Sequence, residues 1–187
     1  MALNLARTLS RSAANGPGER FVVWVQGCPL ACPGCWNADT WSFGRRRVVE
    51  EGALAEEILA TDGIEGVTFS GGEPFMQARA LARVAARVRA AGLSVLVFTG
   101  YAREELTGRH AELLAHTDVL VSGRYREELR AGGLPWRGSS NQQVDFLTDH
   151  YGPEAMDGGA EVEIRIGPDG VTVTGFPVEI GGLLTAC

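Results

Sequence analysis

Four short apolar runs rich in β-branched residues follow one another along the chain. They are RFVVWVQG (20–27), GVTFSGG (66–72), SVLVFTG (94–100) and DVLVSG (118–123). The first, third and fourth do not alternate apolar with polar positions, and unbroken apolar runs of this length are typical of strands covered on both faces. We therefore predict four buried strands of a parallel sheet.

Segments with helical spacing separate these runs. Residues 48–60 carry Leu54, Ile58 and Leu59 at that spacing, and residues 76–92 place arginines opposite an apolar face made by Leu81, Val84, Ala85 and Val88. Shorter helical turns are predicted at 102–106 and 111–116. Strands that alternate with helices in this way indicate βαβ units, so the predicted fold class is α/β.

The chain changes character after Val144. Residues 161–177 alternate with period two on both sides of a Gly-Pro-Asp-Gly turn at 167–170, which predicts a β-hairpin. Residues 145–187, here called the C-terminal extension, hold eight acidic residues against Arg165 alone. We expect a core at 1–144 and the C-terminal extension as part of the same domain. The acidic surface is either a solvated appendage or a docking surface for a basic partner.

Several classes of protein are not expected. No stretch approaches 18 uninterrupted apolar residues, so we expect no membrane-spanning helix. The first 20 residues lack the apolar segment of a secretory signal, although their arginine and serine content leaves a transit peptide open. The basic cluster Arg45 to Arg47 has no interleaved aromatic residues, so no nucleic-acid partner is expected. We predict a cytoplasmic protein.

Residues 27–37, GCPLACPGCWN, hold three of the four cysteines: Cys28, Cys32 and Cys35. Pro29, Pro33 and Gly34 oppose a helix here and let the backbone curl, so that the thiolates can face one object. In a reducing compartment, such clustering indicates metal binding rather than disulfides. The alternatives are three buried small side chains, a zinc site completed by Cys187 or a histidine, and an iron–sulfur cluster with one open iron. The spacing favours the cluster.

Each predicted strand ends in a polar or glycine-rich stretch. These ends are residues 26–28, 70–74, 99–101 and 122–124. In parallel α/β folds, ligands bind at the carboxyl ends of the strands. The cysteines and three further polar segments are therefore predicted to share one edge.

The C-x3-C-x2-C spacing, followed by SGGEP (70–74) at the end of the next strand, resembles the radical S-adenosylmethionine superfamily. Further motifs resemble the activating enzymes of anaerobic (class III) ribonucleotide reductase: NGPGER (15–20), CPGCWN (32–37), TW (40–41), FTGY (98–101) and WRGSSNQ (136–142). The resemblance covers roughly residues 15–144, and the C-terminal extension departs from it.

This resemblance implies a partial, open parallel β/α barrel of the radical SAM type. It also implies that the three cysteines ligate a [4Fe–4S] cluster whose open iron binds S-adenosylmethionine. Gly71, Gly72 and Glu73 would hold the methionine ammonium, and Ser70 precedes them in the same cofactor-binding segment. The other expected contacts are Gly34 and Trp36 to adenine, Thr99 and Ser122 to the ribose hydroxyls, and Arg124 to the methionine carboxylate. Local alternatives are strand-end caps for the two hydroxyls and an ordinary turn for the glycines.

The implied activity is reductive cleavage of S-adenosylmethionine to a 5′-deoxyadenosyl radical. That radical would abstract hydrogen from a glycine of the reductase, with electrons from flavodoxin or ferredoxin. Two alternatives stay open: a stand-alone radical enzyme acting on a peptide or small metabolite, and a non-enzymatic metal-binding module. The WRGSSNQ segment is expected to face a partner or close the site, with simple packing of Trp136 at the rim as its alternative.

Overall fold

The computed structural model describes residues 1–157, 162–167 and 170–176. Its main element is a seven-stranded mixed sheet. In chain order the strands are β1 (Ala2–Ser12), β2 (Arg20–Val25), β3 (Arg47–Glu50), β4 (Gly66–Gly71), β5 (Ser94–Phe98), β6 (Val119–Ser122) and β7 (Gln143–Phe146). Their order across the sheet is β3-β1-β2-β4-β5-β6-β7.

The four central strands are the ones that the sequence predicted. β2 pairs with β4, β4 with β5, and β5 with β6, all in parallel. All four strands end before the predicted boundary, because their glycine-rich and polar ends leave the sheet to form loops at one edge. The α/β character is confirmed. The partial barrel stays a prediction, since the strand order of the described residues runs from β3 to β7 without closing.

The helices are α1 (Glu51–Leu59), α2 (Ala78–Ala90) and the short α3 (Ala111–Leu114). They cover one face of the sheet, and α2 contributes Leu81, Val84 and Val88, each fully buried. Complete burial of such a side chain contributes about 1.5–3 kcal/mol. None of the described helices has both the length and the apolar character needed to cross a bilayer.

Two edge regions differ from the prediction. β1 was not predicted, and it pairs antiparallel with both β2 and β3. The helix predicted at 48–60 begins only at Glu51, because Val48 and Val49 pair with β1 as part of β3. Leu59, predicted on the apolar face of that helix, is 39% exposed.

The C-terminal extension begins inside the sheet rather than after it. β7 pairs antiparallel with β6 and crosses the boundary drawn between residues 144 and 145. Farther along, β8 (Val162–Gly167) and β9 (Gly170–Gly175) form the predicted hairpin as a separate two-stranded sheet. Pro168 and Asp169 of the predicted turn lie outside the described residues, as does Cys187.

Candidate functional site

The cysteine loop follows β2 and is closed at its base by two backbone hydrogen bonds. The Gly27 N–H donates to the Thr40 carbonyl at 2.7 Å, and the Cys28 N–H donates to the Trp41 carbonyl at 3.0 Å. The buried Thr40 hydroxyl donates to the Asn37 carbonyl at 2.6 Å. The Thr-Trp pair therefore closes the loop, and residues 29–39 project from a fixed base at the carboxyl end of β2.

The three thiols of this loop are all free and half-buried. The Cys35 N–H donates to the Cys32 carbonyl at 3.1 Å, so these two cysteines belong to the same tight turn. Burial raises the pKa of the Cys28 and Cys32 thiols above the ordinary value. Since metals bind thiolates, loading of a metal here would release protons.

The donor set of the loop suits an iron–sulfur cluster. Three thiols within eight residues are soft ligands of the kind that such clusters use. Within 1–157, 162–167 and 170–176, no three histidine, cysteine or acidic side chains lie close enough together to hold one metal ion. The thiols that hold a four-iron cluster lie farther apart than the ligands of one metal ion, because each thiolate binds a different iron.

Gly71 and Gly72 pack directly against the end of β2. A Cβ atom on Gly71, which has φ +100°, would lie 2.6 Å from the Val25 nitrogen, and one on Gly72 would lie 2.8 Å from the Gly27 carbonyl carbon. The Gly72 and Glu73 N–H groups donate to the Val25 and Gly27 carbonyls at 2.8 and 2.9 Å. These glycines are thus required for the close approach of two protein backbones. They hold the SGGEP segment beside the cysteine loop.

The Glu73 side chain is 1% exposed and accepts three hydrogen bonds from the protein. One oxygen accepts from the Phe75 N–H and from the Thr99 hydroxyl, both at 2.9 Å, and the other accepts from the Gly100 N–H at 2.9 Å. Burial raises the pKa of this carboxyl to about 7 despite these donors. Glu73 therefore joins the ends of β4 and β5, and Thr99 takes part in that contact. Their predicted contacts with methionine and ribose stay predictions.

Arg124 is held by an acidic partner that the sequence did not suggest. Its two terminal nitrogens donate to the two Glu105 carboxylate oxygens at 2.6 and 2.9 Å. This pairing lowers the pKa of the Glu105 carboxyl to about 2. The guanidinium also lies 5.9 Å from the centre of the Tyr101 ring. A carboxylate thus already occupies the fork that we assigned to the methionine carboxylate.

A cavity of about 620 Å³ lies between the cysteine loop and the carboxyl end of β6. Its lining includes Cys32, Ser122 and Arg124, so the structure brings these three predicted site residues together. The volume falls in the range of about 300–1,000 Å³ that is usual for small-molecule sites. Ser70 lies outside this lining, next to Trp24 in the parallel pairing of β2 and β4.

The two residues assigned to adenine, Gly34 and Trp36, are both exposed. The space beside the Gly34 Cα is filled by the Glu127 side chain, whose carboxyl carbon would be 2.8 Å from a Cβ atom. Trp36 is 38% exposed, and its ring centre lies 6.2 Å from that of Tyr125. Neither Gly34 nor Trp36 lines the cavity.

The WRGSSNQ segment supports the loop that carries Arg124. The Asn141 amide donates to the Arg124 carbonyl at 2.9 Å, and the Gln142 amide donates to the Gly123 carbonyl at 3.0 Å. Trp136 is 5% exposed and packs on the face of the sheet opposite the helices. This burial favours the packing alternative for Trp136, and a partner-facing or site-closing role of the whole segment stays a prediction. The run of amide and hydroxyl side chains was the available signal for this scaffolding role.

Comparisons with known proteins agree with this arrangement. Residues 14–145 match the model of the 4Fe-4S single cluster domain family. The chain is 33% identical over 142 residues to the anaerobic ribonucleoside-triphosphate reductase-activating protein of Escherichia coli (strain K12). This alignment covers 71% of this chain and 92% of that protein. It is 35% identical over 142 residues to the protein of that name from Vibrio cholerae, and the alignment covers 72% of this chain and 92% of that protein. The protein of that name from Enterobacteria phage T4 is 31% identical over 153 residues, and the alignment covers 79% of this chain and 96% of that protein. The chain belongs to the family of anaerobic ribonucleoside-triphosphate reductase-activating proteins, with a 4Fe-4S single cluster domain.

Proposed function

We propose that the protein is a radical S-adenosylmethionine enzyme that activates an anaerobic ribonucleotide reductase. The observation that carries the proposal is the direct connection between its two motifs. The Glu73 N–H donates to the Gly27 carbonyl at 2.9 Å, which places the SGGEP segment beside the loop of the three free thiols. Membership of the activating-protein family supports the choice of target.

Cys28, Cys32 and Cys35 would hold the [4Fe–4S] cluster. When bound, the cluster supplies the electron that cleaves the sulfonium of S-adenosylmethionine to methionine and a 5′-deoxyadenosyl radical. The chain itself positions this cofactor: the cavity beside Cys32 offers the Ser122 hydroxyl and the Arg124 guanidinium. A planar guanidinium binds a carboxylate through two parallel hydrogen bonds, as it already does with Glu105.

The proposed substrate is a backbone glycine of the reductase. One hydrogen atom moves from its Cα to the 5′ carbon of the radical, which gives 5′-deoxyadenosine and a glycyl radical. A protein substrate fits the exposed apolar surface beside the cysteine loop, where Phe43 is 60% exposed and packs next to Gly27. Flavodoxin or ferredoxin is the proposed electron donor, and the exposed Arg45 to Arg47 would attract an acidic protein. A location in the cytoplasm stays a prediction.

The test is electron paramagnetic resonance of an anaerobic mixture. It contains the reduced, cluster-loaded protein, S-adenosylmethionine and a class III ribonucleotide reductase. We expect a glycyl radical signal on the reductase, which is absent when Cys32→Ala replaces the wild type. Formation of 5′-deoxyadenosine without a glycyl radical would retain the cofactor chemistry and reject the reductase as the target.

A second candidate is a radical enzyme that acts on another peptide or a small metabolite. It is favoured by one observation: residues after 145 lie outside the family match, yet they pack on the sheet. Substrate-dependent consumption of S-adenosylmethionine in the absence of any reductase would support this candidate. A colourless protein that binds one zinc ion would reject both enzymes.

A further inference from the structure

The C-terminal extension covers the face of the sheet that the helices leave open. Leu96, Val119 and Val121 point to this face and are at most 1% exposed. The apolar residues packed over them come partly from the extension: Phe146, Tyr151, Ala155, Met156 and Phe176. This layer is built largely from residues beyond the family match, which ends at residue 145.

Two polar contacts fix the extension at the far end of the sheet. The Tyr151 hydroxyl lies 3.1 Å from the Ser94 hydroxyl at the start of β5. The Asn15 side-chain amide donates to the Thr174 hydroxyl at 2.8 Å, and this contact is buried. Because Thr174 belongs to β9, the hairpin is tied to the segment that precedes β2. The position of Phe176, two residues after Thr174, is therefore determined by the body of the protein.

Phe176 emerges from this anchored hairpin next to the cysteine loop. Its ring centre lies 5.8 Å from that of Trp36 and 5.8 Å from that of Phe98, the last residue of β5. Tyr125 and the Arg130 guanidinium also contact the Trp36 ring, at 6.2 and 5.4 Å between centres. Phe176 thus links the Trp36 ring to the sheet itself. Trp36 directly follows Cys35 in the chain.

We propose that Phe176, which belongs to the C-terminal extension, is a positioning residue for Trp36 and so for the end of the cysteine loop. The cysteine loop is tied at its base, but its outer half depends on side-chain contacts for its orientation. Aromatic pairs at these distances favour a small set of ring geometries, so Phe176 restricts the orientation of Trp36. The inference rests on the proposed function where it concerns S-adenosylmethionine; the contact with Trp36 stands without it.

The first test uses the full-length protein without cluster or cofactor. Hydrogen exchange of residues 29–39 is compared in the wild type, Phe176→Ala, Phe176→Tyr and Ile166→Ala. Ile166 is an apolar residue of β8 that is 84% exposed, so Ile166→Ala controls for loss of an apolar side chain from the hairpin. We expect exchange in Phe176→Ala to be faster by about threefold to tenfold, from the loss of one or two aromatic contacts. Phe176→Tyr and Ile166→Ala should match the wild type. Equal exchange in all four proteins would overturn the proposal.

The second test uses the cluster-loaded protein and measures reductive cleavage of S-adenosylmethionine without a protein substrate. Phe176→Ala should raise the KM for S-adenosylmethionine by about threefold to tenfold, with kcat within twofold of the wild type. Phe176→Tyr, which keeps an aromatic ring at this position, should have the KM of the wild type. A fall in kcat with unchanged KM, or a KM equally raised in Ile166→Ala, would overturn the role at the cofactor site.

The two tests separate the possible failures. If the wild type binds a cluster but does not cleave S-adenosylmethionine, the proposed function fails, and the exchange data still decide whether Phe176 positions Trp36. If Phe176→Ala does not fold, Phe176→Leu replaces it, because leucine fills much of the space but lacks the ring. Wild-type exchange and KM in Phe176→Leu would then overturn the proposal.

Discussion

The Thr99 hydroxyl donates a hydrogen bond of 2.9 Å to the buried Glu73 carboxylate. This bond joins the ends of two neighbouring parallel strands, β4 and β5, at the edge where the cysteine loop lies. Two residues that the family resemblance assigns to different parts of S-adenosylmethionine are thus partners of each other. The edge of the site is held together by its own motif residues.

The burial of Glu73 predicts a pH-dependent stability. In the folded protein the pKa of this carboxyl is raised from 4.5 to about 7. Between these values the folded state keeps a proton that the unfolded state has released, so the stability of the cluster-free protein falls as the pH rises from 4.5 to 7. The full difference corresponds to about 3 kcal/mol. Urea unfolding of the wild type and Glu73→Gln at several pH values measures it.

The variant should lack this part of the decline, because glutamine does not titrate. Glu56→Gln is the control, since the Glu56 side chain is 74% exposed, and it should decline with pH as the wild type does. Parallel pH profiles for the wild type and Glu73→Gln would contradict the prediction.

Gly72→Ala should separate the SGGEP segment from the cysteine loop. The added Cβ would lie 2.8 Å from the Gly27 carbonyl carbon, and that carbonyl accepts the Glu73 N–H. Moving two backbones apart breaks buried hydrogen bonds, at about 1–3 kcal/mol for each unsatisfied group. We expect lower stability in urea unfolding and less iron and sulfide after anaerobic reconstitution.

The matched control for this change is Gly52→Ala. Gly52 lies in α1, where a Cβ would make only an ordinary contact of 3.5 Å with Arg87. Alanine favours the helix by about 1 kcal/mol over glycine, so this variant should be as stable as the wild type or more so. Equal iron content in both variants would argue against the role of Gly72.

Single replacement of Cys28, Cys32 or Cys35 by alanine should abolish the iron–sulfur cluster. In the proposed site, loss of one of the three thiolates leaves an iron without its protein ligand, and the visible absorption of the cluster should fall to background. Cys187→Ser should retain the full iron and sulfide content, because in the proposed function the fourth iron binds S-adenosylmethionine rather than a fourth cysteine. Loss of metal in Cys187→Ser would instead favour a site with four cysteine ligands.

Glu105→Gln should strengthen the binding of S-adenosylmethionine by a few-fold. Glu105 occupies both terminal nitrogens of Arg124, so under the proposed function the methionine carboxylate would have to replace it. The gain is small because exposed ion pairs contribute little. Titration calorimetry with the cluster-loaded protein measures the affinity. Glu104→Gln is the control, since Glu104 is the neighbouring carboxylate and lines the cavity, and it should bind as the wild type does. Weaker binding in Glu105→Gln would show that Glu105 itself supports the site.

The sequence predicted the parts of the fold that depend on local patterns. Unbroken apolar runs gave the four parallel strands, and their polar ends gave the edge at which Cys32, Ser122 and Arg124 meet. β1 and β7 escaped prediction, because both carry mixed polar and apolar residues and are defined by their partners in the sheet. Their pairing is antiparallel, which no local pattern in these segments indicated.

Contacts between segments that are distant in the chain could not be predicted from the sequence either. Arg20 was predicted as part of the NGPGER motif and as the start of a strand, but not as the centre of a network. It is fully buried and donates to the Thr68 hydroxyl and the Val67 carbonyl, both at 2.8 Å. It also meets Tyr151, 131 residues farther along the chain, at 3.5 Å. Such a network depends on the folded topology, because each partner alone is an ordinary strand or loop residue. The pairing of Arg124 with Glu105 was missed for the same reason.

The closed base of the cysteine loop affects how the protein acquires its cofactor. The two hydrogen bonds from Gly27 and Cys28 to Thr40 and Trp41 leave 11 residues, 29–39, between the tied positions. Bringing the two ends of a flexible loop together costs conformational entropy that grows slowly with loop length. Because the fold already holds the base, that entropy is lost during folding of the chain. Cluster insertion therefore has to order only residues within the loop, and metal loading can follow folding as a separate step.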